Sequence, residues 1–142
     1  MEAGQEFPEL LQVVLDTTDV RGLAEFYRQL LGLRYRPGDE VPAPGEDWLV
    51  LRDVTGRIRL AFQLVPELPE ATWPEGPRPQ QLHLDLKVPT AAQLDVQHER
   101  ALALGARLLL DRSDDPEEPL RVYADPAGHP FCVFVASPGV QP

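Results

Sequence analysis

The stretch Gln81-Leu82-His83-Leu84-Asp85-Leu86-Lys87-Val88 alternates polar and apolar side chains along its whole length. Successive side chains of a β-strand point to opposite faces, so this pattern predicts a strand at 81–88 with one apolar and one polar face. We expect the apolar face to pack on a core. The polar face, which carries His83 and Asp85, then points either into water or into a polar pocket.

A helix and three strands are predicted to follow. Thr90 is a typical helix N-cap, Gln93 stands three residues later as in a capping box, and Gly105 is placed to end the helix. Apolar runs separated by turn residues then indicate strands at 106–111, 120–125 and 131–136. Together with 81–88, these segments make a βαβββ unit.

The same order of elements is predicted earlier in the chain. A strand at 10–16 precedes a helix that begins after Asp19 and ends at Gly32, and strands follow at 33–36, 48–52 and 57–65. Corresponding landmarks recur at an offset of about 70 residues, which indicates an internal duplication. We expect residues 1–142 to form a single domain, with module one at about 9–66, a proline-rich linker at 66–79 and module two at about 80–136.

A βαβββ unit has one helix, which can cover only one face of its sheet. We therefore expect an α+β fold in which two tandem βαβββ modules form a half-open curved sheet around a cleft, with the helices outside. The inner face of the sheet would line this cleft, so the polar side of 81–88 is expected to face a pocket.

Strand alternation assigns further side chains to the inner face, and these are our candidate ligand-binding residues. The predicted cleft residues are Gln12, Asp16, Arg59, Gln63, His83, Asp85, Cys132 and Phe134. Trp48 and Trp73 border the two proline-rich segments, where they either stack on a flat ligand or pack within the loops.

The net charge and the cysteine content of the chain limit the classes of binding partner that we expect. The formal net charge of −10 disfavours binding to nucleic acid and to anionic membranes. Cys132 is the single cysteine of the 142 residues, so no intrachain disulfide can form, which fits a cytoplasmic protein. We expect a small-molecule ligand.

Two motifs together carry a family resemblance: the helix segment from Phe26-Tyr27 to Leu31-Gly32, and the turn Asp125-Pro126-Ala127-Gly128 before the last strand. With QLHLDLKV, LGARLL and YADPAGHPFCVFVAS, they resemble the vicinal oxygen chelate superfamily of glyoxalases, bleomycin-resistance proteins and extradiol dioxygenases. The resemblance covers about residues 9–136 and is strongest to the glyoxalase-like domains. It implies a homodimer, because paired chains complete the clefts of such proteins.

Metal-dependent members of that superfamily hold a divalent ion with one residue from each of four strands, in the pattern His or Gln, Glu, His, Glu. The resemblance carries these positions to Gln12, Gln63, His83 and Cys132. This set has no carboxylate, whereas hard cations prefer oxygen ligands. We therefore expect no resident metal or other cofactor, and take these four residues as the ligands if a divalent ion does bind.

The resemblance leaves the activity open between an enzyme and a binding protein. The first hypothesis is a lyase or isomerase acting on a small carbonyl compound, in which an ion polarises the substrate and a carboxylate or His83 moves the proton. Without an ion, His83 and Asp85 would act as the acid–base pair of a metal-free enzyme. The second is a non-catalytic protein of the bleomycin-resistance type that sequesters a drug or metabolite. The sequence also permits simpler roles: Cys132 as an inert buried thiol, His129 as a structural turn residue, and His98 as a surface residue of the second helix.

Overall fold

The computed structural model of the protein describes residues 6–136. Module one consists of β1 (Val13–Thr17), α1 (Val20–Leu31), β2 (Arg34–Tyr35), β3 (Trp48–Arg52) and β4 (Ile58–Leu64). Module two consists of β5 (Leu84–Val88), α2 (Ala91–Leu104), β6 (Arg107–Arg112), β7 (Leu120–Ala124) and β8 (Pro130–Val135). The duplicated βαβββ order predicted from the sequence is confirmed.

Both helices begin and end at the predicted residues. The side chain of Asp19 accepts a backbone N–H in the first turn of α1, and Thr90 accepts the N–H of Gln93 at 3.1 Å. Gly32 and Gly105 end the two helices with φ of 68° and 114°, a left-handed conformation that other residues adopt at a cost.

Each module forms a mixed four-stranded sheet. The strand orders are β1-β4-β3-β2 and β5-β8-β7-β6, and in each sheet the first pair is parallel while the others are antiparallel. α1 packs on the first sheet, α2 packs on the second, and the two helices contact each other. This confirms the α+β fold of two tandem modules whose sheets do not close.

The two modules share one hydrophobic core. Phe26 and Tyr27 of α1 reach Phe131 of β8, with ring centroids 5.9 Å and 6.2 Å apart. The helix-facing side chains of both sheets join the same cluster, for example Phe62 in module one and Val133 in module two. Packing across the module boundary therefore fixes the two sheets relative to each other.

A buried hydrogen bond reinforces this boundary and explains both motifs of the family resemblance. The hydroxyl of Tyr27 donates to Oδ2 of Asp125 at 2.7 Å, and both residues are buried. The other oxygen of Asp125 accepts the backbone N–H groups of Ala127 and His129 at 2.8 Å and 3.0 Å. The Asp125 turn is thus held to α1 of the other module.

Two strands begin later than predicted. The strand predicted at 81–88 starts at Leu84, and Leu82 is 48% exposed rather than packed in the core. Its parallel partner β8 starts at Pro130, which has no N–H to extend the ladder. The strand predicted at 10–16 starts at Val13, where the partner strand β4 begins next to a bulge.

No helix within residues 6–136 combines the length and the apolar content needed to cross a bilayer.

Candidate functional site

The inner face of the second sheet is the face turned away from α2. In its register Asp85 lies opposite Cys132, Cys132 opposite Val122, and Val122 opposite Leu110. Four adjacent strands thus contribute one side chain each to a single row. The alternate residues of these strands, such as Phe131, belong to the core on the other side.

Three chemically active side chains meet at one end of this row. Nε2 of His83 lies 3.3 Å from Oδ1 of Asp85, and Nδ1 of His83 lies 3.1 Å from Oε1 of Gln80. One ligand atom each of His83, Asp85 and Cys132 falls within 4.8 Å of the other two. We call these three residues the module-two cluster. The i, i+2 spacing of His83 and Asp85 brings them together, while pairing of β5 with β8 brings in Cys132.

The cluster joins two accessible groups to a half-buried thiol. The side chains of His83 and Asp85 are 43% and 57% exposed. Burial, with added repulsion from the carboxylates of Asp85 and Glu118, raises the pKa of the Cys132 thiol to about 11. Since the thiolate is the nucleophilic form, Cys132 is a poor nucleophile at neutral pH, and proton transfer by His83 and Asp85 is the chemistry the cluster favours.

A cavity of about 250 Å³ lies over the inner face of module two. Trp73, from the proline-rich segment before β5, forms part of its wall together with apolar side chains of β6, β7 and β8. Its lining residues are Trp73, Gln80, His83, Leu110, Arg112, Leu120, Val122, Pro130 and Cys132. Apolar walls with a few polar groups are typical of small-molecule sites, and this volume suits a ligand of only a few carbon atoms.

Two other predicted cleft residues line a groove of about 630 Å³ between the modules. Gln12 and Arg59 lie on its module-one side and Asp85 on its module-two side. The guanidinium of Arg59 lies 3.4 Å from a carboxylate oxygen of Asp53. Asp85 therefore borders this groove and also contacts His83, which lines the smaller cavity.

The remaining predicted residues lie elsewhere on the inner faces. Asp16, Gln63 and Trp48 are neighbours in the register of the first sheet, where Trp48 begins β3 and is half-buried. The backbone carbonyl of Asp16 accepts a hydrogen bond from Nε2 of His129 at 2.7 Å. Phe134 is buried, one row beyond Cys132 in the second sheet.

Sequence reasoning missed Gln80 and Arg112 and misplaced His98. Arg112 lines the cavity because a bulge between Leu108 and Leu110 alters the register of β6, which alternation alone does not reveal. His98 is half-buried, and its Nδ1 lies 2.7 Å from the hydroxyl of Tyr123, so the expectation of a surface residue was wrong. Its spacing from the buried Leu94, four residues earlier on the same helix, is the signal that indicates this contact.

The residues that could hold a metal ion in this structure are not the four positions that the family pattern predicts. Among residues 6–136, the module-two cluster is the group of His, Cys, Asp and Glu side chains that converges closely enough to hold an ion. An imidazole, a carboxylate and a thiol suit Zn²⁺ with one open position, and suit Mg²⁺ or Mn²⁺ poorly. Asp85 joins His83 and Cys132 in this group, whereas Gln63 is exposed on the first sheet.

Comparison with known proteins agrees with this architecture. Residues 12–134 match the family model of the glyoxalase-like domain. A glyoxalase/bleomycin resistance protein/dioxygenase family enzyme from Burkholderia phytofirmans is 18% identical with a TM-score of 0.66, over 90% of this chain and 98% of that chain. The search of curated proteins gives no significant match.

Two fosfomycin resistance proteins named FosX have the same fold. The protein from Mesorhizobium loti is 17% identical, with a TM-score of 0.64 over 93% of this chain and 95% of that chain. A mutant of the protein from Listeria monocytogenes, solved with Mn(II) and a dihydroxypropylphosphonic acid, is 16% identical, with a TM-score of 0.65 over 93% of each chain. At identities of 16–18%, these comparisons show that the folds are alike and nothing more.

Proposed function

The chain belongs to the glyoxalase-like domain family, and from this premise we propose that it is a lyase or isomerase acting on a small carbonyl compound. The observation that carries the proposal is the module-two cluster, in which His83 contacts Asp85 at the edge of a small, largely apolar cavity. A proton-transferring pair at a cavity of this size is suited to removing a proton from a short carbon chain.

His83 is the group that moves the proton in this proposal. In the structure Nδ1 lies 3.1 Å from Oε1 of Gln80, which accepts, and Nε2 lies 3.3 Å from Oδ1 of Asp85. The proposed base is the tautomer that forms when Gln80 moves aside: Nε2–H then points to Asp85, and the neutral ring carries its lone pair on Nδ1. Nδ1 faces the side chain of Gln80, which lines the cavity, so a ligand that displaces Gln80 reaches this nitrogen.

The reaction breaks a C–H bond next to the carbonyl group. The proton passes to Nδ1, the electron pair forms an enolate, and the Asp85 charge stabilises the resulting imidazolium. Where the deprotonated carbon carries a hydroxyl group, this enolate is an enediolate. Transfer of the hydroxyl proton to the other oxygen and return of the first proton to the former carbonyl carbon complete an isomerisation. In a lyase reaction the carbonyl group re-forms as a leaving group departs with its electron pair from the carbon next to the enediolate.

The proposal assigns no resident metal to this chemistry. His83, Asp85 and Cys132 are the residues that would hold a Zn²⁺ ion, and a bound ion would polarise the carbonyl oxygen of the substrate. Holding the ion would require the thiolate form of Cys132, so binding would release the thiol proton.

Exchange of the C–H hydrogens of carbonyl compounds for deuterium from the solvent tests the reaction class before the substrate is identified. The purified protein is incubated in D₂O, with and without EDTA, with a panel of short 2-hydroxy and 2-oxo compounds, and the C–H signals are followed by NMR. We expect catalysed exchange next to the carbonyl group of at least one compound, at the same rate in EDTA. No exchange across the panel would refute the proposed activity, and loss of exchange in EDTA would refute the metal-free assignment.

A second candidate function is sequestration without turnover. The observation that favours it is the apolar wall of the cavity, to which Trp73 contributes an aromatic side chain. Native mass spectrometry of freshly purified protein tests it directly. A tightly held organic adduct, together with no exchange in any compound tested, would show that the protein binds its ligand without catalysing a reaction.

A further inference from the structure

Arg112 is a cationic residue that lines the same cavity as His83 and Cys132. It ends β6 and lies opposite Leu120, one row along from the row that contains Leu110, Val122 and Cys132. β6 lies two strands from β8, roughly 10 Å away at ordinary strand spacing. Arg112 therefore stands at the opposite side of the cavity from Cys132.

The guanidinium of Arg112 has no hydrogen-bond or ion-pair partner among the described residues. Within residues 6–136 its side chain takes part in no ion pair and no hydrogen bond, whereas Arg107 on the same strand pairs with Glu70 at 3.1 Å. Arg121 on the neighbouring strand is likewise paired, with Asp95 at 3.1 Å. An unpaired arginine lining a cavity is available to a ligand.

Asp115, an acid whose pKa the charge of Arg112 lowers, accepts hydrogen bonds from its own loop. Oδ1 of Asp115 accepts the backbone N–H groups of Glu117 and Glu118 at 2.9 Å and 3.2 Å. These two bonds are the main cause that lowers the pKa of Asp115, and the charge of Arg112 adds a weaker effect. Asp115 shapes the loop after β6 and leaves Arg112 open to the cavity.

Charge varies across the cavity in a way that orients a ligand. The carboxylates of Asp85 and Glu118 act on the thiol of Cys132, so a negative group is disfavoured at that side. At the other side, Arg112 offers a planar fork of donors that matches a carboxylate. Apolar side chains such as Val122 and Leu120 lie between the two ends.

From this arrangement we infer that the ligand of the module-two cavity is a small monocarboxylic acid whose carboxylate binds Arg112 and whose carbonyl end faces His83. The inference rests on the proposed function for the reactive end of the ligand. The inference about the carboxylate end depends on Arg112 alone. Arg112 is therefore a specificity-determining residue that selects short oxo or hydroxy acids over neutral compounds of the same size.

Fluorescence of Trp73 tests this inference without turnover. The chain has two tryptophans, so Trp48→Phe leaves Trp73 as the single reporter in the cavity wall. In this background, acetate, lactate and 3-hydroxybutyrate are titrated beside their neutral amides. We expect saturable changes in fluorescence, with at least one acid binding about 10-fold or more tightly than its amide.

Two further variants assign that preference to one residue. Arg112→Gln is expected to abolish the preference for the acid, and Arg112→Lys to retain part of it. Arg107→Gln is the matched control on the same strand and should bind the acid as the parent does. Equal binding of acids and amides, no saturable response to any acid, or an unchanged preference in Arg112→Gln would overturn the inference.

The outcomes separate this inference from the proposed reaction. Arg112-dependent binding of an acid, combined with no hydrogen exchange in any compound, would leave the carboxylate site standing and refute the enzyme. Exchange in neutral compounds only, with no Arg112-dependent binding, would refute the carboxylate site and leave the enzyme standing.

Discussion

Replacing His83 by alanine is expected to slow the catalysed hydrogen exchange by roughly 100- to 10,000-fold, the usual contribution of a general acid–base residue. The variant loses the only group in the proposal that takes the proton from carbon, while Asp85 remains in place. His83 is substantially exposed and its side chain contacts the side chains of Gln80 and Asp85, so the fold should survive the change. The comparison is made by NMR in D₂O with the compound that the wild-type protein exchanges fastest.

Gln81→Ala supplies the matched control for this prediction. Gln81 is exposed, precedes β5 as His83 does, and does not line the 250 Å³ cavity. Its exchange rate should stay within about twofold of the wild type, which corresponds to less than about 0.5 kcal/mol. An exchange rate in His83→Ala equal to that of Gln81→Ala would show that His83 does not carry the reaction.

Replacing Asp125 by alanine is expected to destabilise the protein by about 3–5 kcal/mol, because each buried donor left without its acceptor costs about 1–3 kcal/mol. The change leaves three buried or half-buried donors without their acceptor: the hydroxyl of Tyr27 and the N–H groups of Ala127 and His129. For a chain of this length the Tm should fall by about 10 °C or more. Chemical denaturation, followed by circular dichroism, measures the loss of free energy.

Tyr27→Phe removes one of these bonds and keeps the ring packed in the core, so we expect a smaller loss of about 1–3 kcal/mol. The double variant should cost less than the sum of the two single changes, because both remove the same hydrogen bond. Asp114→Ala, at an exposed loop position, is the control and should change stability by less than about 0.5 kcal/mol. A loss below about 1 kcal/mol in Asp125→Ala would contradict the role of this bond in joining the modules.

The features of the fold that local chemistry determines could be predicted from the sequence. Asp19 and Thr90 cap the helices because their side chains accept N–H groups three residues away, which needs no tertiary information. The alternation in 84–88 similarly fixes which side chains face the core. The start of β5 could not be predicted, since Leu82 lies beyond the point where the partner strand can pair.

In the candidate site too, some residue positions follow from local spacing and others depend on tertiary contacts. His83 immediately precedes β5 and Asp85 is its second residue, so their proximity follows from the i, i+2 spacing in extended chain. The place of Arg112 depends on a bulge and on pairing across three strands, which alternation does not encode. Likewise, the spacing of His98 from Leu94 indicates that His98 faces the core, but its partner Tyr123 lies on β7 and is set by tertiary packing.

The relation between the modules was the hardest feature to predict. The metal positions carried over by resemblance took Gln12 and Gln63 from module one and His83 and Cys132 from module two. Inside module two, the strand register determines which side chains meet, and it brings Asp85 to His83 and Cys132. Across the modules, contacts depend on how α1 packs against β8, which a single sequence does not specify.

The most direct test of the account is protection of Cys132 from alkylation by the compound that the protein turns over or binds. Cys132 is the single cysteine and lines the cavity beside His83, so intact-mass measurement of iodoacetamide labelling reads this site alone. At pH 9, where enough thiolate is present, the account predicts that labelling slows as the compound is added, with half-protection at the concentration that half-saturates exchange or binding. Labelling at an unchanged rate in the presence of a saturating compound would contradict the placement of the functional site on the inner face of module two.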